Sequence, residues 1–154
     1  MPILERLTLN DIDFEVEKRA IDTVLICLPD SHGRLTGTRV MAEVFLREIA
    51  ANGTRVPAHL LCTDATGALA TGYPLSKPAA GLPDLIARID LNSMFRMPWQ
   101  PRTVGAMADL EFVDGTAVTM APRTVLRRQV QRLDAAGMTV QAGAEVQFTV
   151  LAPG

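Results

Sequence analysis

Apolar residues come in short blocks along this chain, and their spacing changes from block to block. Residues 21–28, IDTVLICL, are β-branched and nearly all apolar, the pattern of a strand buried on both faces. Pro29 and Gly33 then bracket Asp30 and Ser31 in a turn. RLTGTRVM, 34–41, reads as the returning strand of a hairpin. In MAEVFLREIAANG, 41–53, Met41, Phe45 and Ile49 recur at i, i+4, which predicts one stripe of a short amphipathic helix. Asn52 and Gly53 supply a left-handed stop. Further strands are predicted over VPAHLLCTD (56–64), DLIARIDL (84–91) and VGAMADLEF (104–112), with VDGT (113–116) as a hairpin turn.

Three stretches break this rhythm. In NDIDFEVEKRA, 10–20, Ile12, Phe14 and Val16 alternate with acids as in a strand. Asn10 as a cap, with acids first and Lys18 and Arg19 last, suits a helix and its dipole, and the helix is preferred. Residues 65–83 are rich in Gly, Ala and Pro without periodicity, and a loop that long is usually functional or mobile. MPWQPRT is broken by prolines, and Trp99 between Pro98 and Pro101 is expected to plug the domain. The clearest helix is 122–136: Pro122 suits the first helical position, Leu126, Val130 and Leu133 form a stripe, and Gly137 ends it. MTVQAGAEVQFTVL then predicts a strand or strand pair. The order of elements implies an α+β domain with mostly antiparallel pairing, followed by a helix–strand unit.

Composition narrows the partners. A length of 154 residues, 48% of them hydrophobic, suits one domain or one and a fraction, with a core of Val, Leu, Ile, Ala and Met because aromatics are only 5%. The formal net charge is −2, and Arg123, Arg127, Arg128 and Arg132 form the only basic cluster, which argues against nucleic acid. No apolar run reaches membrane-spanning length and the N-terminus has no apolar signal core, so a cytoplasmic protein with no membrane partner is expected. Cys27 and Cys62 lie in apolar stretches and read as buried reduced thiols. His32 and His59 have no partner at metal-ligand spacing.

Few residues then remain for chemistry. The arginines of 122–136 read as a solvated helix face, except that a cation as early as Arg123 opposes the dipole and asks for a carboxylate partner. Asp64 and Asp84 flank the irregular loop, where they either hold a cation or an ammonium group or serve as turn residues. Asp30 reads as a turn residue. Glu145 and Gln147, two apart on a predicted strand, would share one face. An acidic pair there would suit Mg²⁺ or Mn²⁺; one acid and one amide equally describe the solvent face of an alternating strand.

Four stretches taken together resemble the N-terminal part of the glutamine synthetase family: IDTVLICLPDSHGRLTGTRV, MPWQPRTVGAMADLEFVDGT, APRTVLRRQVQRLDAAGM and GAEVQF. The likeness is to the branch of γ-glutamyl-polyamine and related amine ligases, and its order is kept from about Ile21 to Leu151. The resemblance implies a β-grasp-like mixed sheet with one short helix over 1–112, and the start of a catalytic domain over 113–154. It implies a ligase that uses ATP and Mg²⁺ or Mn²⁺ to join glutamate to ammonium or an amine, with sites shared between neighbouring subunits of a ring. Asp64 and Asp84 would face the amine site, and Glu145 would be the first metal ligand of an E-x-E pair. Gln147 departs from that pair, and Thr38 stands where the hairpin often has Lys. The remaining metal ligands and phosphate-holding arginines are not in these residues. The chain alone is therefore expected to be inactive, to hold no cofactor tightly, and to partner itself or a glutamine synthetase-like protein. The alternative is a free-standing, non-catalytic β-grasp module.

Overall fold

The computed structural model describes residues 4–72, 74–76 and 83–151, so parts of the predicted 65–83 loop lie outside the described residues. The ambiguous early stretch is a helix, α1 (Leu9–Glu17). Its cap is Thr8, two residues earlier than the Asn10 expected. The Asp11 backbone N–H donates to the Thr8 hydroxyl at 3.2 Å, and the Asp11 carboxylate accepts from the Thr8 backbone N–H at 2.8 Å. This reciprocal box satisfies two donors that a bare helix end leaves open. Ile12 of α1 is fully buried.

β1 (Thr23–Pro29) and β2 (Leu35–Met41) form the predicted hairpin, registered from Thr23 opposite Met41 to Pro29 opposite Leu35. Gly37 is required there: a Cβ would stand 1.8 Å from the Ile26 carbonyl oxygen. The helix over 42–52 comes in three pieces, Ala42–Val44, a π-helical turn Phe45–Ile49, and Ala50–Asn52, ended by Gly53 at φ 73°. Phe45 and Ile49 are buried as the stripe predicts; Met41 is not part of it, being the exposed last residue of β2.

The strand expected over 56–64 is shorter and earlier. β3 is Thr54–Pro57, and Ala58–Leu61 is a 3-10 turn. Pro57 brings no N–H to a ladder, and the turn after it buries Ala58 and Leu61 instead. β4 (Asp84–Ile89), β5 (Phe95–Arg96) and β6 (Thr103–Glu111) complete a sheet of order β2-β1-β6-β4-β3, with β5 also on β6. β1 and β6 run parallel and every other pairing is antiparallel. This is the expected α+β mixed sheet. One core gathers Ile12, Val24, Ile26, Phe45, Leu85 and Val104. Trp99 is no plug: it is 69% exposed in a turn, while Met94 and Met97 are buried beside it in the chain. Cys27 and Cys62 are buried and free, and burial pushes both thiols up.

The terminal helix (Pro122–Ala135) forms as predicted, and Gly137 follows at φ 74°. None of its residues is buried, and its stripe residues Leu126, Val130 and Leu133 are 38–64% exposed. Residues 138–151 are neither helix nor strand. The strand expected around Glu145 has no ladder partner among the described residues, and Val146, Phe148, Val150 and Leu151 are 82–83% exposed. A strand exists through its inter-strand bonds, so apolar alternation alone does not make one.

Candidate functional site

The turn between β1 and β2 meets the segment after the 3-10 turn. Asp30, the residue after β1, is almost wholly buried, at 1% exposure. One carboxylate oxygen accepts the backbone N–H groups of His32 and Arg34, each at 2.9 Å, and the other accepts Arg34 Nε at 2.7 Å. Burial would push this carboxyl up, but the Arg34 guanidinium and those two N–H groups outweigh it and hold it below the usual carboxylate range. Arg34 continues outward. Its Nη1 donates to the Ala65 carbonyl at 3.3 Å and its Nη2 to that of Asp64 at 3.5 Å. His32 Nε2 lies 2.7 Å from the Thr63 carbonyl, which only accepts, so that ring nitrogen carries the proton.

Asp64 closes its own turn. Its Oδ1 accepts Thr66 Oγ1 at 2.6 Å, the Thr66 N–H at 2.8 Å and the Ala68 N–H at 3.0 Å. These bonds, the Thr66 hydroxyl first, hold the carboxyl below its ordinary value, so it is ionised at neutral pH. Oδ2 receives no hydrogen bond among the described residues. Asp84 opens β4, exposed, with Arg55 Nη1 at 3.4 Å. Among the described residues Asp64 and Asp84 share no bonding partner. Glu145 accepts from Gln147 Nε2 at 3.0 Å, so the two do lie together, both exposed. Among the described residues no group of three or more His, Cys, Asp or Glu side chains could hold a metal ion.

The sequence missed a second polar centre. Arg123 donates Nε to Asp109 at 2.9 Å and Nη2 to Asp90 at 2.5 Å, and Arg127 reaches Asp109 at 2.7 Å. This face of the terminal helix is therefore not simply solvated: two of its arginines clamp it to β6 and to the residue after β4. The misplaced cation at the helix start was the one signal of it. Nothing in the sequence announced the bonds from His32 and Arg34 to residues some thirty positions on.

A curled mixed sheet with few short helices and one appended helix is the architecture of a glutamine synthetase N-terminal domain. A solved structure of GmaS with ADP superposes at a TM-score of 0.61 with 22% identity, over 81% of this chain and 25% of that one. Among curated proteins, gamma-glutamylethanolamide synthetase GlnA4 of Streptomyces coelicolor is 39% identical over 153 residues, 97% of this chain and 33% of its own length. Glutamate–isopropylamine ligase of a Pseudomonas species is 29% identical over 136 residues, 88% of this chain and 30% of its own. No protein-family model matches the chain. The chain belongs to the glutamine synthetase family, on its amine-ligase branch, and matches the N-terminal part of those relatives. It spans about a third of the length of the curated relatives it matches.

Proposed function

We propose that this chain is the N-terminal portion of a cytoplasmic, ATP-dependent glutamate–amine ligase, with residues 1–112 as a β-grasp domain and 113–154 as the start of the catalytic domain. The carrying observation is 39% identity sustained over 97% of the chain to gamma-glutamylethanolamide synthetase GlnA4. In this role the β-grasp domain forms a lid at a subunit interface and presents Asp64 and Asp84 to the incoming ammonium or amine. Asp64 suits that task, since its Oδ1 is saturated by its own turn while Oδ2, which accepts no hydrogen bond among the described residues, can take a charge-assisted one.

ATP with Mg²⁺ or Mn²⁺ would supply the phosphoryl group and its charge neutralisation. The described residues do not fit such a metal by themselves. Glu145 offers one carboxylate and Gln147 an uncharged oxygen, where hard cations take several oxygen ligands. We therefore place no step of the reaction on these residues. Alone, the 154 residues are proposed to be inactive, and to act in a homo-oligomer or with a glutamine synthetase-like partner. Gln147 favours a second reading, a non-catalytic module that binds such a partner, because an amide at a ligand position weakens any metal.

Incubation with glutamate, ATP and ethanolamine should release no phosphate; turnover above background would overturn the proposed inactivity. Calorimetry with Mn²⁺ decides the metal position. Saturable heat that Glu145→Ala removes assigns it to Glu145, and its absence from the wild-type chain rejects it.

A further inference from the structure

Asp30 is a buried carboxylate that the proposed chemistry does not use. Its surroundings suggest another task. The turn at 64–68 is shaped by its own bonds: Asp64 N–H to the Ala68 carbonyl at 2.8 Å, Gly67 N–H to the Asp64 carbonyl at 3.0 Å, and the three bonds to Asp64 Oδ1. Those bonds fix the shape of the turn and say nothing of where it stands. Among the described residues, every hydrogen bond from 63–68 to another element runs to the β1–β2 turn. Three consecutive carbonyls, of Thr63, Asp64 and Ala65, face His32 and Arg34.

We infer that Asp30, Arg34 and His32 form a positioning unit that sets the place of the Asp64 carboxylate relative to the sheet. Asp30 is held in place by burial directly after β1 and by the His32 and Arg34 backbone N–H groups. It grips the Nε edge of the Arg34 guanidinium, and the planar fork then projects Nη1 and Nη2 onto two successive carbonyls. A lysine could keep the ion pair with Asp30 but has no fork to span all three acceptors. That difference separates positioning from mere stability. Arg34 and His32 are positioning residues here. Their functional meaning rests on the proposed role of Asp64, while the brace itself does not.

The test uses the full chain and its Arg34→Lys, Arg34→Met and His32→Ala variants. Amide residual dipolar couplings are recorded for residues 63–68 and for β6. In the wild type both sets should fit one alignment. In Arg34→Lys, with the melting temperature near wild type, the couplings of 63–68 should shrink while those of β6 hold. His32→Ala should shrink those of Thr63 most. Should Arg34→Met fail to fold, the other two variants decide. If Arg34→Lys and His32→Ala both leave 63–68 on the alignment of the sheet, the positioning unit does not exist.

A methylammonium titration, followed at the Thr66 and Ala68 amides, reads the site separately. Saturable binding that Asp64→Asn abolishes should weaken about fivefold in Arg34→Lys, the worth of roughly one hydrogen bond. Binding unchanged in Asp64→Asn would sink the amine role of Asp64 and leave the couplings to decide the brace. Binding lost in Asp64→Asn but undiminished in Arg34→Lys would overturn the brace as a positioning device.

Discussion

The sheet and the terminal stretch of this chain satisfy their groups in opposite ways. In the sheet, β1 and β6 sit between paired neighbours and alternate residues such as Val104 and Ala106 vanish into a single core. From residue 122 to residue 151 nothing is buried. The terminal helix is tied down by Arg123 and Arg127, its apolar stripe faces outward, and the apolar residues around Glu145 stand almost fully exposed. An ion-pair clamp can thus orient a helix without spending its hydrophobic face. The sheet is stabilised from within, whereas the stretch after it leaves its apolar residues exposed.

Truncating one phenylalanine in each region should separate the two most widely. Phe45→Ala, at a fully buried position, should cost about 3–5 kcal/mol in urea denaturation, because it loses transfer energy and leaves a cavity. Phe148→Ala, at an exposed position, should stay within about 0.5 kcal/mol. Equal losses would mean that the terminal stretch is packed after all. A smaller effect should come from Arg123→Met. It removes two short contacts that are only partly screened, and should cost about 1–2 kcal/mol, between a surface pair and a buried one. Limited trypsin digestion should then cut sooner at Arg127 and Arg128; an unchanged cleavage rate would show that the clamp does not hold the helix.

The smallest effect is expected from acid, and it belongs to the sheet region. The folded carboxyl of Asp30 lies below its ordinary value of 3.8, so its contribution is fully present above that value. It should fade as pH falls from about 3.8 through the lower folded value. Asp30→Asn should flatten this part of the stability–pH curve, and a slope identical to wild type would show that Asp30 is not linked to folding.

Elements whose partners are near in sequence were legible from pattern alone. The β1–β2 hairpin has its turn residues inside it, and the terminal helix announces itself through Pro122, its stripe and Gly137. VPAHLLCTD misled because apolar content cannot tell a strand from a 3-10 turn that buries the same residues. Trp99 misled because size was taken for burial. Of the candidate site, Asp64 and Asp84 could be named from their places beside a loop, but not their surroundings. Asp64 proved to cap its own turn, and Asp84 to pair with Arg55.

By itself, then, the sequence determined the α+β class, most element boundaries, the buried cysteines and the ordered likeness to the amine-ligase branch of glutamine synthetases. All of these depend on local periodicity or on linear order. Only the tertiary structure decided that Arg34 and His32 reach the carbonyls of residues 63–65, that Asp90 and Asp109 receive the arginines of the terminal helix, and that the residues around Glu145 form no strand. Each of those is a pairing between groups distant in the chain. Such a pairing follows from how the sheet curls and which edges it leaves open, and residue type carries no record of either.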